Sequence, residues 1–139
     1  MKYFLLSLTL LAVPPSFAAA PPVMRDPVEV PLIGFKAVLS DGQVLMSWKH
    51  YKREDFVSYR VVKSDAEAAP VYPEAKAIYT TTGPGDTEYV DGLLSAGTWH
   101  YRLCVITRFG DRWVSPAVTV VIRPDQVKRS APTAADFEP

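Results

Sequence analysis

At 139 residues, with 15 basic and 15 acidic side chains, the chain is sized for one domain and carries no surplus of charge. That balance excludes nucleic acid as an expected partner, because phosphate binding draws on a clustered cationic surplus, and the short Lys49, Lys52, Arg53 group is followed at once by Glu54 and Asp55. Cys104 is the only cysteine, so no intramolecular disulfide can form and packing alone must hold the fold; the thiol is read as a small apolar residue rather than as a link to another chain.

Residues 1–18 have the order of parts of a secretory signal: Lys2, an apolar run over 4–13 broken only by Ser7 and Thr9, then Pro14-Pro15 and the small residues Ser16 and Ala18. A spanning helix needs about 20 apolar residues, roughly twice this run, so export is expected rather than anchoring. No cysteine follows the run to carry a lipid. Removal of the segment takes Lys2 with it, leaving 14 basic against 15 acidic residues and no membrane span. The expected location is secreted or periplasmic.

Residues 19–31 form a proline-rich leader, with Pro21, Pro22, Pro27 and Pro31 between valines; proline favours extended backbone, and the last residues are candidates to join a sheet edge. Residues 32–123 then alternate runs of β-branched and aromatic residues with turn residues, the pattern of an all-β domain. The run 32–39 ends at Asp41-Gly42, a strong hairpin signal. In the returning strand, 43–51, Val44, Met46 and Trp48 share one face, and Leu45 is the apolar exception on the other. A third strand places Val57, Tyr59 and Val61 inward. A long connection over 65–76 leads to a short strand at 77–82, another at 87–90, and the longest at 98–108, where Trp99, Tyr101, Leu103 and Val105 alternate with His100, Arg102 and Cys104. The seventh strand is 117–122. Residues 124–139 turn to Pro, Ala, Ser, Thr and charge, the composition of a flexible tail.

Three stretches resemble the fibronectin type III family: Met46-Ser47-Trp48, Tyr59-Arg60-Val61, and the succession of Thr87-Glu88-Tyr89-Val90-Asp91-Gly92-Leu93 with Ala96-Gly97-Thr98-Trp99-His100-Tyr101-Arg102-Leu103, Gly110 and Ser115-Pro116. The resemblance covers roughly residues 31 to 122. It implies a seven-stranded antiparallel immunoglobulin-like sandwich, with Tyr101 as the corner tyrosine whose hydroxyl bonds back to the backbone. Tyr101 stands about one residue further from Gly97 than the family pattern has it, and the 65–76 connection is long for the family.

Catalytic chemistry is not expected. His50 and His100 have no partner in the sequence pattern, the acids are scattered without calcium-loop spacing, Gly83-Pro84-Gly85 precedes a strand rather than a helix, and Cys104 lacks a base. No cofactor or metal is expected either. The reading is a non-catalytic protein-binding module for adhesion or assembly, its partner another protein in the envelope or extracellular space. The alternatives are a carbohydrate-binding module, with Tyr51, Tyr79 or Trp113 stacking on sugar rings, and an accessory structural part of an envelope assembly. The candidate partner-binding residues are Arg108, Phe109, Asp111, Arg112 and Trp113, which gather aromatic and guanidinium groups around Gly110. The stretch His50-Tyr51-Lys52-Arg53 is a second candidate surface, and the tail with Phe137 a third.

Overall fold

The structure, a computed structural model, describes residues 23–127. The expected signal, the start of the leader and all of the tail beyond 127 lie outside these residues. The described chain forms β1 (Val28–Glu29), β2 (Lys36–Ser40), β3 (Gln43–Ser47), β4 (Phe56–Ser64), β5 (Ala77–Thr81), β6 (Glu88–Asp91), β7 (Gly97–Thr107), β8 (Arg112–Val114) and β9 (Val118–Ile122). The larger sheet runs β1-β8-β7-β4-β5 with β9 also on β7, and the smaller runs β2-β3-β6. The class is therefore an all-β sandwich. Its core lies between the sheets: Val44, Met46 and Trp48 from the smaller one meet Tyr59, Val61, Tyr101, Leu103 and Val105 from the larger.

Among the described residues nine strands stand where seven were expected, for two reasons. The expected last strand, 117–122, is β9, and an additional strand, β8, forms over Arg112–Val114 in the stretch read as a binding loop; Pro116, with no N–H to give a ladder, separates the two. β8 pairs with Cys104 to Ile106 on β7, and β9 pairs with Gly97 to Tyr101. Ser115 spans the break by donating its N–H to the Leu103 carbonyl at 2.9 Å and accepting the Leu103 N–H on its hydroxyl at 3.0 Å. The other addition is the leader, whose Val28 and Glu29 pair in parallel with Trp113 and Val114. Val30 extends this edge with an N–H to the Val114 carbonyl at 2.7 Å.

Strict alternation fails in β4. A register shift between Phe56 and Ser58 turns Val57 outward, 41% exposed, and buries Ser58 instead. Beyond the shift Tyr59 and Val61 point inward as expected. The far face of the larger sheet is also less open than alternation implied. The 65–76 connection folds over it, placing Val71 and Tyr72 against Cys104, Ile106 and Val114 in a second apolar cluster. Burial holds the Cys104 thiol protonated, its pKa pushed up to about 12 against the pull of Arg112, Arg102 and Arg60. At the lower end, Pro124–Gln126 form a 3-10 turn and Val127 packs on the core. The sequence reading had placed these residues in the tail.

Tyr101 is fully buried, but its hydroxyl does not reach the backbone. It donates to the Asp91 carboxylate at 2.8 Å, and Lys63 Nζ reaches the same oxygen at 2.8 Å. The Lys63 ammonium lies 4.5 Å from the centre of the Trp99 ring, and Asp91 also accepts the Leu93 N–H at 3.1 Å. A carboxylate thus replaces the backbone acceptor that the resemblance implied. Burial first, and the carboxylate second, raise the Tyr101 hydroxyl far above the ordinary phenol range.

Candidate functional site

The turn from β7 to β8 is built on Thr107. Its hydroxyl accepts the N–H groups of Phe109 and Asp111 and donates to the Asp111 carboxylate at 2.9 Å, while the Gly110 N–H reaches the Thr107 carbonyl at 3.0 Å. Gly110 sits at φ +80°, and a Cβ there would fall 2.6 Å from the Val23 carbonyl oxygen, so the turn can take no larger residue without moving the leader.

The five expected binding residues separate into three groups. Asp111 is buried, its second oxygen taking the Arg25 guanidinium at 3.2 Å. Arg112 is buried as well. Its Nε donates to the Arg25 carbonyl at 2.7 Å and its Nη1 to the Tyr72 carbonyl at 3.0 Å, so the guanidinium ties the leader and the 65–76 connection to β8. These two residues fasten the loop, their side chains largely buried in contacts within the chain. Arg108 and Phe109 remain at the exposed tip, the guanidinium 5.0 Å from the ring centre. Trp113 points the other way, on the same side of the sheet as its register partner Val105.

That orientation brings Trp113 to the second candidate stretch. Between the sheets, at the edge closed by β1, a groove of about 300 Å³ is walled by Val30, Leu32 and Ile33 on one side and by Lys49, His50, Tyr51 and Arg53 on the other, with Val105 and Trp113 between them. Pro31–Ile33 form a 3-10 turn, and the Lys49 N–H donates to the Ile33 carbonyl at 2.9 Å, so the two walls are bonded to each other at the mouth. Tyr51 is held from two sides. Its N–H donates to the Tyr59 hydroxyl at 2.8 Å and its own hydroxyl to Asp55 at 2.8 Å. The Tyr59 hydroxyl passes its proton side on to the Pro84 carbonyl at 2.7 Å. Burial and the Asp55 carboxylate raise the Tyr51 hydroxyl above the usual phenol range, offset in part by Trp113 and Arg53, so it stays a donor. Behind it, Phe56 packs 4.6 Å from Tyr59 and Trp48 5.5 Å from Tyr59, a run of rings that fixes the groove wall.

The lining is almost wholly apolar, and the charged groups that border it, Lys49, His50 and Arg53, are cationic or basic and exposed. Asp55 is held by the Tyr51 hydroxyl, and Glu54, exposed, adjoins Arg53 outside the lining. The groove can hold an apolar side chain in a preformed slot, with Lys49 and Arg53 supplying cationic groups among its lining residues. Of the three aromatics expected to stack on sugars, Tyr51 and Trp113 share this groove. Tyr79 lies elsewhere, stacked on Tyr89 at 4.2 Å. Val30, Leu32 and Ile33 were missed as site residues because in sequence they read as leader and strand; the one hint was the expectation that the leader's end joins a sheet edge.

Among the described residues, no group of three or more His, Cys, Asp or Glu converges as metal ligands would. No protein-family model matches the chain, and no curated protein sequence matches it. Solved structures do resemble it. A pectate lyase from Pectobacterium carotovorum matches with a TM-score of 0.50 at 16% identity, over 71% of this chain and 28% of that one. The sixth fibronectin type III domain of human fibronectin type III domain containing protein 3 matches at 0.49 and 21% identity, over 79% and 94%. A pectate lyase from Erwinia chrysanthemi, solved with tetragalacturonic acid, matches at 0.49 and 15% identity, over 61% and 27%. This chain thus spans about a quarter of the length of the lyases it matches, and at these identities no activity or ligand passes from them to it.

Proposed function

We propose that the protein is a non-catalytic binding module, exported to the periplasm or the extracellular space, that takes an apolar side chain of another protein into the Trp113–Tyr51 groove, with carboxylates beside that side chain meeting Lys49, His50 and Arg53. The observation that carries the reading is the groove itself: two aromatic rings held by internal contacts around a slot whose walls are apolar and whose rim is basic. Tryptophan, tyrosine and arginine are the residue types that dominate binding energy at protein interfaces, and a slot built before the partner arrives adds little ordering cost. Export rests on residues 1–18, and the non-catalytic reading on the sequence, in which His50, His100 and Cys104 carry no partner pattern. Arg108 and Phe109, at the loop tip, are a second contact available to a partner that extends past the groove.

The test compares Leu32→Asp and the pair Lys49→Glu with Arg53→Glu against the natural protein in binding to the partner recovered from its own compartment. Leu32 is 78% exposed, and Lys49 and Arg53 are exposed, so folding should be kept. At least a tenfold loss of affinity in both variants, with unchanged thermal unfolding, is expected; unchanged affinity would remove the groove from the account. A glycan ligand is the second reading, favoured by Tyr51 and Trp113 lying together. A glycan array separates the two: a retained sugar whose binding falls on Leu32→Asp would replace the protein partner.

A further inference from the structure

The solvent side of the smaller sheet breaks the rule that β2, β3 and β6 otherwise follow. Val38, Leu45 and Val90 stand side by side across the three strands in direct register, and they are 58%, 43% and 45% exposed. Polar residues belong on this face if it meets only water. The neighbouring row on the same face is Lys36, Ser47 and Glu88, again in register, with the lysine and the glutamate exposed at opposite edges of the sheet. Two strand spacings put those charges roughly 10 Å apart, too far to pair with each other directly. The face shares no residue with the lining of the groove.

The pattern is self-complementary. A twofold axis laid between two such faces, parallel to β3 and passing over Leu45, reverses the order of the strands and keeps the position along them. Leu45 then meets Leu45, Val38 meets Val90, and Lys36 of each copy meets Glu88 of the other. We propose that this face is an interface between two copies of the chain, packed face to face about that axis. Aligned packing of sheets is the ordinary geometry for such a contact, and an isologous dimer requires a patch that complements itself under the rotation. An apolar row flanked by opposite charges at equal distance from its centre meets that requirement. A standard interface buries about 800 Å² per partner, and a contact centred on one three-residue apolar row should associate only toward high protein concentration.

Sedimentation velocity across a concentration series tests it with the purified protein. The natural protein should shift toward the dimer as concentration rises, and Leu45→Lys should stay monomeric. Lys36→Glu alone and Glu88→Lys alone should each lose association, because each places like charges opposite one another. An equimolar mixture of these two variants should regain it, since every facing pair is then opposite in sign. The double variant Lys36→Glu with Glu88→Lys should regain it alone. All three positions are exposed, and near-ultraviolet circular dichroism reports whether each variant keeps the native packing. A natural protein that stays monomeric throughout, a dimer that survives Leu45→Lys, or a mixture that does not recover would each overturn the proposal.

Discussion

Lys63 and Asp91 are charged residues placed where charge is costly, with side chains only 10% and 7% exposed. Removing one partner of a buried pair leaves the other uncompensated, so Asp91→Ala should destabilise the fold by about 3–5 kcal/mol, read as a fall in the urea midpoint at constant m-value. Tyr101→Phe removes only a hydrogen bond to a carboxylate that keeps Lys63, and should cost about 1.5–3 kcal/mol. A larger loss for Tyr101→Phe than for Asp91→Ala would contradict this ordering. Arg112 and Phe109 make a second contrast within one loop. Arg112→Ala strips hydrogen bonds from the carbonyls of Arg25 and Tyr72 and should cost about 2–3 kcal/mol, whereas Phe109→Ala, at the exposed tip, should change stability by no more than about 0.5 kcal/mol. In the sequence these two residues looked alike as hot-spot material. Residue type records what a side chain is able to do, and only the fold of the leader and the 65–76 connection around Arg112 decided that its guanidinium is used inside.

At the scale of elements, the leader is part of the sandwich: β1 pairs with β8, and Arg25 bonds the Gly110 turn through an N–H to the Gly110 carbonyl at 2.8 Å. Gly110→Ala combines a strained φ with a clash against the Val23 carbonyl, and should cost about 1–3 kcal/mol while exposing the leader to proteolysis ahead of global unfolding. Equal cleavage rates in the variant and the natural protein would show that the turn does not hold the leader. Most of the elements were legible. Alternation placed Val44, Met46, Trp48, Tyr101, Leu103 and Val105 inward, and Asp41-Gly42 marked its hairpin. The misses have local causes. A bulge, which one residue creates, turned Val57 outward; Arg112–Val114, read as loop, pairs with β7 as a short strand ahead of Pro116; and the 65–76 connection covered a sheet face that periodicity alone assigns to solvent.

For the whole molecule, titration adds a testable pH dependence. Cys104 and the hydroxyls of Tyr51, Tyr59, Tyr89 and Tyr101 are all raised above their ordinary values, with burial the leading cause in each. A raised group holds its proton in the folded state at pH values where the unfolded chain has lost it. Its contribution is therefore complete below the unfolded pKa, near 9 for the thiol and 10 for the phenols, and declines as pH rises toward the folded value. Stability from these groups should be level up to about pH 9 and fall from there through pH 12, followed by urea midpoints and tyrosinate absorbance. A midpoint that holds steady from pH 9 to 11 would contradict the burial assigned to them.

The groove is the feature that only the assembled molecule contains. Trp113 and the stretch from His50 to Arg53 were each singled out in the sequence, more than fifty positions apart, with nothing in either to say that they face one another. Their meeting depends on the packing of one sheet over the other, and the facing wall comes from Val30, Leu32 and Ile33, which in sequence span the end of the leader and the start of the first expected strand. Central to the account is that this groove receives another protein. The most direct measurement installs a photo-crosslinking residue at position 32, on the rim, and separately at position 93, which is 89% exposed and away from the groove. Irradiation in the native compartment should join position 32 to one protein, with the product lost when Arg53→Glu is added and absent from position 93. The same products from both positions, or a product from position 32 that Arg53→Glu leaves unchanged, would contradict it.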